Sequence, residues 1–175
     1  MTAPDSNLAT LPIQRLAAKD SVMFLWATWP NLPVAFATME AWDFEYKTLG
    51  FIWFKTNKNS GTAFTGGGFW TRANTEICLI GTRGNLRCIN RDVHQIIETW
   101  EERDDLVLKA PHPRIINEEG KNKILHSAKP PEVRKRIVEL MGDLPRIELF
   151  AREKADGYDV WGNEVESDID MRLEN

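Results

Sequence analysis

The sequence predicts an α/β fold, a largely buried sheet flanked by helices, and three observations carry that reading. Two runs, Ser21 to Trp29 (SVMFLWATW) and Tyr46 to Lys55 (YKTLGFIWFK), are apolar with no polar face, as strands covered on both sides are. Two segments with proline starts, Pro33 to Trp42 and Pro130 to Leu140, have helical character. A third apolar run, Thr75 to Gly81 (TEICLIG), follows a glycine-rich stretch.

Taken in order, the first strand ends at Pro30 and Pro33, which open the first helix. The second strand, rich in aromatic and β-branched residues, runs into a loop from Thr56 to Phe69 that holds Asn57, Asn59, Ser60, Gly61 and Gly66-Gly67-Gly68. Such a composition signals mobility or close approach of backbone to a ligand. After the third strand and a turn at Thr82 to Asn85, Val93 to Thr99 reads as a short fourth strand. Trp100 to Ser127, charged and proline-containing, reads as a long loop or insertion. The second helix carries Val133, Ile137, Val138 and Leu140 on one face and stops at Gly142. Arg146 to Ala151 (RIELFA) is a last strand, with a loop running on to Glu164.

At 175 residues the chain has room for one domain with a sizeable core. The expected organisation is a lead-in over 1–19, a domain over 20–164 with 100–127 as its long loop, and an acidic tail over 165–175. From Arg152 onward eight acidic residues face three basic ones, so the net charge of -4 comes from a solvated tail on a nearly neutral body. No apolar stretch approaches the roughly 20 residues that span a bilayer, and no signal peptide is expected. Cys78 and Cys88 lack metal-ligand spacing, so no metal site is expected and a reduced, cytoplasmic setting is.

Cofactor sites in α/β sheets lie beyond the carboxyl ends of the strands, which draws attention to Glu148, Phe150 and Arg152, and to Asn163 and Glu164 in the loop that follows. A carboxylate or amide there suits ribose hydroxyls, and a cation suits a carboxylate. The plainer reading is a surface ion pair of Glu148 with Arg152. His126, Ser127 and Lys129 lie where a helix N-terminus favours anions, or merely cap it. Lys55, Thr56 and Asn57, then Arg72, Asn74, Arg83, Arg87 and Arg91, interleave with Trp53, Phe69 and Trp70. They form either a nucleic-acid face or scattered cations over a tryptophan-rich core. His94 beside Asp92 suggests a general base, but a lone strand histidine is more often structural.

In register from Asp20 to Glu164, seven blocks resemble the MT-A70-like family of N6-adenine methyltransferases, in its prokaryotic and phage branch. They are FLWATWPNLPVAFATMEAWDFEYKT, FIWFKTNKNSG, GGGFWTRANTEICLIGTRG, NRDVHQIIE, HSAKPPEV, RIELFAR and WGNE. The resemblance implies a Rossmann-like sheet that binds S-adenosylmethionine. Lys129 resembles the lysine at the cofactor's methionyl end, and Glu148, Phe150 and Arg152 the cofactor-contacting strand end. Asn163 and Glu164 resemble the ribose-binding pair, while Lys55 and Asn57 match a Lys-Thr-Asn near the target base. The loop through Gly66 to Trp70, with Arg72, would line a nucleic-acid groove, for DNA rather than RNA.

Two departures stand out. The family's Asp-Pro-Pro-Trp lies upstream of the first strand, and nothing here matches it, so no catalytic residue is assigned and the sheet is expected to be incomplete at its N-terminal side. That motif's carboxylate orients the flipped adenine. Either an upstream segment or a homo- or heterodimer partner supplies it, or the chain is an inactive or truncated member that binds nucleic acid or pairs with an active subunit. The second departure is the long stretch over 100–125, partly acidic where the family has a short basic link.

Overall fold

The computed structural model describes residues 8–57, 60–102, 107–108, 115–116, 122–123 and 129–171, with backbone pairing alone described between 100 and 128. Nine strands, three α-helices and a 3-10 turn (Trp29–Asn31) are assigned among them: α1 (Ile13–Leu16), β1 (Ser21–Ala27), α2 (Leu32–Ala41), β2 (Glu45–Asn57), β3 (Thr75–Arg83), β4 (Ile96–Glu102), β5 (Val107–Leu108), β6 (Ile115–Ile116), β7 (Asn122–Lys123), α3 (Glu132–Met141), β8 (Ile147–Leu149) and β9 (Asp159–Trp161).

The main sheet is mixed, in the order β1-β3-β2-β4-β5. The antiparallel strand β3 lies between β1 and β2, and β4 runs parallel to β2. The carboxyl ends of β1, β2 and β4 therefore share one rim. Two register shifts bend β2 against β3, between Tyr46 and Thr48 and between Leu49 and Phe51. Gly50 sits at the second, where a Cβ would stand 2.8 Å from the Ile80 side chain, so a larger residue would have to displace Ile80.

Alternation along the strands sends side chains to two cores. Met23, Leu25, Ile77 and Leu79 face α2 and α1, around buried Met39, Trp42 and Phe44. Phe24, Phe51, Cys78 and Ile97 face Val133 and Ile137 of α3. Each large apolar side chain so buried contributes about 1.5–3 kcal/mol. Burial also pushes the Cys78 thiol far above its ordinary value, so it behaves as a packed apolar group. Proline starts α3, Gly142 at φ +83° ends it, and Arg136 donates 2.7 Å bonds to the carbonyls of His94 and Ile96, tying the helix to the start of β4.

The layered, Rossmann-like α/β reading holds, with particular corrections. The fourth strand begins at Ile96, where pairing with Ile52 of β2 starts; His94 and Asp92 are exposed loop residues. A strand, β9, replaces part of the final loop by pairing in parallel with β8. Within the expected long loop, 100–102 continue β4, 107–108 pair with it, and 115–116 pair with 122–123. Ile13 from the lead-in and Met171 from the tail are both buried in the α2-side core. The tail is thus docked at Met171, and Lys154 binds Asp168 at 2.7 Å. His126 and Ser127 lie outside the described residues.

Candidate functional site

Two clusters of polar side chains gather at strand ends. The first sits on the rim of the main sheet. Glu76, at the start of β3, faces the ends of β1 and β2, and its two oxygens are taken separately by Lys55 at 2.8 Å and Lys129 at 2.5 Å. Lys55 lies 4.1 Å from the centre of the Trp53 ring, and Lys129 lies 5.5 and 5.6 Å from Trp26 and Trp53. Ring faces attract such cations. Trp53 is itself fixed by a 2.7 Å bond from its indole N–H to Thr99 of β4. Burial pushes the Glu76 carboxyl up, but Lys129 and then Lys55 outweigh it and hold the group below the ordinary carboxylate range.

The second cluster lies where β8 and β9 end side by side. Leu149 pairs with Trp161, and the Ala151 N–H donates to the Trp161 carbonyl at 2.9 Å. Phe150 between them takes φ +60°, rare for a bulky residue, and leaves its ring 51 % exposed against the edge of Trp161, 5.4 Å away. Gly162 allows the tight turn, since a Cβ there would lie 2.0 Å from the Ala151 carbonyl oxygen. Arg152 reaches Glu164 at 3.5 Å, and Asn163, two residues past the end of β9, is exposed.

Glu148 is engaged differently from the expected pairing with Arg152. Arg134 of α3 grips it bidentately, at 2.7 and 3.1 Å, and holds Glu153 at 2.8 Å with the same guanidinium. Glu148 first, and Glu153 after it, raise the Arg134 guanidinium above its already high ordinary value. Arg134 thus locks α3 to the strand end, leaving Arg152 and Glu164 on the open side.

The proposed nucleic-acid face divides. Lys55 and Asn57 stand on the rim; Asn57 cinches the loop by bonding Thr62 and Ala63. Trp70 and Arg72 are exposed on that loop. Trp53 and Thr56 are 1 % exposed and belong to the core. Arg83 lies at the opposite end of β3, bonded to Asp43, with Arg87 and Arg91 beyond it. Sequence reasoning missed Glu76 and Arg134. A lone acid inside the apolar run TEICLIG was the available signal for the first. Among the described residues no three potential metal ligands come together.

A layered sheet with polar groups collected at the carboxyl ends of parallel strands defines a Rossmann-like domain. The MT-A70 family model matches residues 1–164, and the chain belongs to the MT-A70 family. It is 29% identical over 161 residues to the type II methyltransferase M.MunI of Mycoplasma sp., covering 91% of this chain and 57% of that protein. Over 152 residues it is 27% identical to an N(6)-adenosine-methyltransferase MT-A70-like protein of Arabidopsis thaliana, covering 86% of this chain and 19% of the relative. The chain thus spans little more than half of the first and about a fifth of the second.

Proposed function

We propose that the chain forms the cofactor half and part of the substrate groove of a methyltransferase acting on the N6 amino group of adenine in DNA. The observation that carries this reading is the polar cluster with an exposed ring where β8 and β9 end side by side. Its donor set suits S-adenosylmethionine: the exposed Phe150 ring for a purine face, Asn163 and Glu164 for ribose hydroxyls, and Arg152 for a carboxylate. When bound, that cofactor supplies an electrophilic methyl on sulfur. The side chains here bind and orient: Arg134 fixes Glu148 and the strand end, and Glu76 fixes Lys129 toward the methionyl end and Lys55 toward the base.

The domain proper would be 20–164, with the lead-in and tail sealing one core. Orientation of the adenine amino group calls for the Asp-Pro-Pro-Trp carboxylate, from an upstream segment or a partner chain. One observation supports such completion. Strand β1, apolar over most of its length, is one edge of the described sheet, and all seven of its residues are only partly buried. The same observation favours the second reading, a non-enzymatic subunit completed by an active partner. No helix among the described residues is long and apolar enough to cross a membrane.

Calorimetry with S-adenosylmethionine, paired with a methyl-transfer assay on adenine-containing DNA, tests both. Binding is expected for the purified chain and is expected to be lost in Asn163→Ala. Transfer by the chain alone would remove the second reading; absence of cofactor binding would overturn the first.

A further inference from the structure

Phe69 and Trp70 are 108 and 100 % exposed, the most solvent-facing aromatic side chains among the described residues, while Trp42 and Trp53 are buried. The chain goes to some length to place them there. Between β2 and β3 it doubles back: Phe64 donates to the Lys55 carbonyl, Gly66 to that of Ala73, and Ala73 to that of Gly67. A Cβ on Gly66 would lie 2.0 Å from the Ala73 carbonyl oxygen, and one on Gly68 would lie 1.9 Å from that of Thr71. Only glycine fits either position, so the turn that projects Phe69 and Trp70 is built by glycine at two places. The arm returns to the rim at Asn74, whose carbonyl accepts from the Lys55 N–H, beside the Lys55–Glu76–Lys129 cluster.

We infer that the Phe69–Trp70 tip is a stacking platform for unpaired bases of the substrate strand, with Arg72 taking a flanking phosphate. Two adjacent rings on a narrow arm, bordered by glycine, Thr71 and a cation, are too small a patch for the apolar centre of a protein interface. They suit a base, which offers a flat π-face whatever its identity, next to an anion. This inference rests on the nucleic-acid reading of the previous subsection. It adds the form of the strand, unpaired at the tip, and the force that holds it, stacking.

The test is fluorescence anisotropy with a labelled adenine-containing single strand of about 12 nucleotides, within the site sizes of such grooves. A second strand has the same phosphates but abasic sites at its centre. Trp70→Ala is expected to weaken binding of the natural strand about tenfold, the scale of one base–aromatic stack, with an unchanged salt slope. Trp70→Phe should stay within about threefold of the parent, since a ring remains. The abasic strand should bind the parent chain as weakly as the natural strand binds Trp70→Ala. Arg72→Ala should lower the salt slope by about 0.7, one phosphate's worth.

Full exposure makes misfolding of these variants easy to exclude by thermal melting. Equal affinity of Trp70→Ala and the parent, or an equal loss on natural and abasic strands, overturns the stacking assignment while leaving the nucleic-acid reading intact. Failure of the parent chain to bind either strand at low salt also overturns the stacking assignment, and failure to bind an adenine-containing duplex as well overturns the nucleic-acid reading.

Discussion

On the rim of the main sheet, Glu76 holds Lys55 and Lys129 at 2.8 and 2.5 Å among tryptophan rings. At the ends of β8 and β9, Arg152 meets Glu164 at 3.5 Å beside a half-exposed Phe150 whose backbone is in the left-handed region. The first cluster is closed: each oxygen of its carboxylate has a cation, and each cation has a ring to lie on. The second leaves a ring half exposed and carries strain in its backbone at Phe150. Closed clusters hold other groups in place, whereas open, strained ones are where ligands make their contacts. On the function proposed above, the cofactor contacts fall mainly to the second cluster, while Glu76 in the first positions Lys129 and Lys55.

The contrast would be broken most severely at Gly162. Gly162→Ala puts a methyl group 2.0 Å from the Ala151 oxygen, a backbone atom that cannot swing aside. It should destabilise by about 3 kcal/mol, the upper range for overpacking, and abolish cofactor binding. Urea unfolding measures the first and calorimetry the second. A loss under about 1 kcal/mol would mean that this turn relaxes freely and is not a shaped site.

Glu76→Gln attacks the closed cluster and leaves two lysines side by side without a counter-charge. The three side chains keep 16–31 % exposure, so about 2 kcal/mol is expected, less than the roughly 3–5 kcal/mol of a fully buried pair. The pH dependence has a definite sign. A carboxyl held below its ordinary value of 4.5 contributes stability that is present above that pH and lost as pH falls through the lowered value. The gap between parent and Glu76→Gln should therefore close on acidification. A gap that stays constant from pH 7 to about pH 3 would show that Glu76 acts through packing rather than charge.

Arg152→Ala separates the two regions by readout. An exposed ion pair contributes at most about 1 kcal/mol to folding, so the melting temperature should hardly move. Affinity for S-adenosylmethionine should fall about tenfold, the worth of one charge-assisted hydrogen bond. A variant that melts early but binds normally would assign Arg152 to the scaffold with Arg134.

How far these regions could be read beforehand follows from what each depends on. The strands β1, β2 and β3 and the helices α2 and α3 are written in local pattern: apolar runs, proline starts and a glycine stop. Strand β9 is not. Its three residues carry one buried side chain, Val160, and extended structure there comes from pairing with β8. The start of β4 is likewise set by pairing with Ile52, more than forty residues earlier in sequence. Lys129, Arg152 and Glu164 stood out by type and position, yet their pairings did not. Lys129 meets Glu76 across 53 residues, and Glu148 meets an arginine on α3 rather than its neighbour Arg152. Pairings at such separations belong to the fold, and a linear pattern does not contain them.

The smallest change tests the strain itself. At φ +60° a phenylalanine costs about 1–2 kcal/mol that glycine would not. Phe150→Gly removes that penalty, but it also removes the ring contact with Trp161, about 0.5–1.5 kcal/mol, and loosens the unfolded chain by about 0.5–1 kcal/mol. These terms nearly cancel, so stability should stay within about 1 kcal/mol of the parent. Cofactor affinity should nonetheless drop, because the ring that faces solvent is gone. If Phe150→Gly instead destabilised by more than about 2 kcal/mol and bound the cofactor normally, Phe150 would be a packing residue held in an awkward conformation by its neighbours. The open cluster would then be a second scaffold rather than a ligand wall.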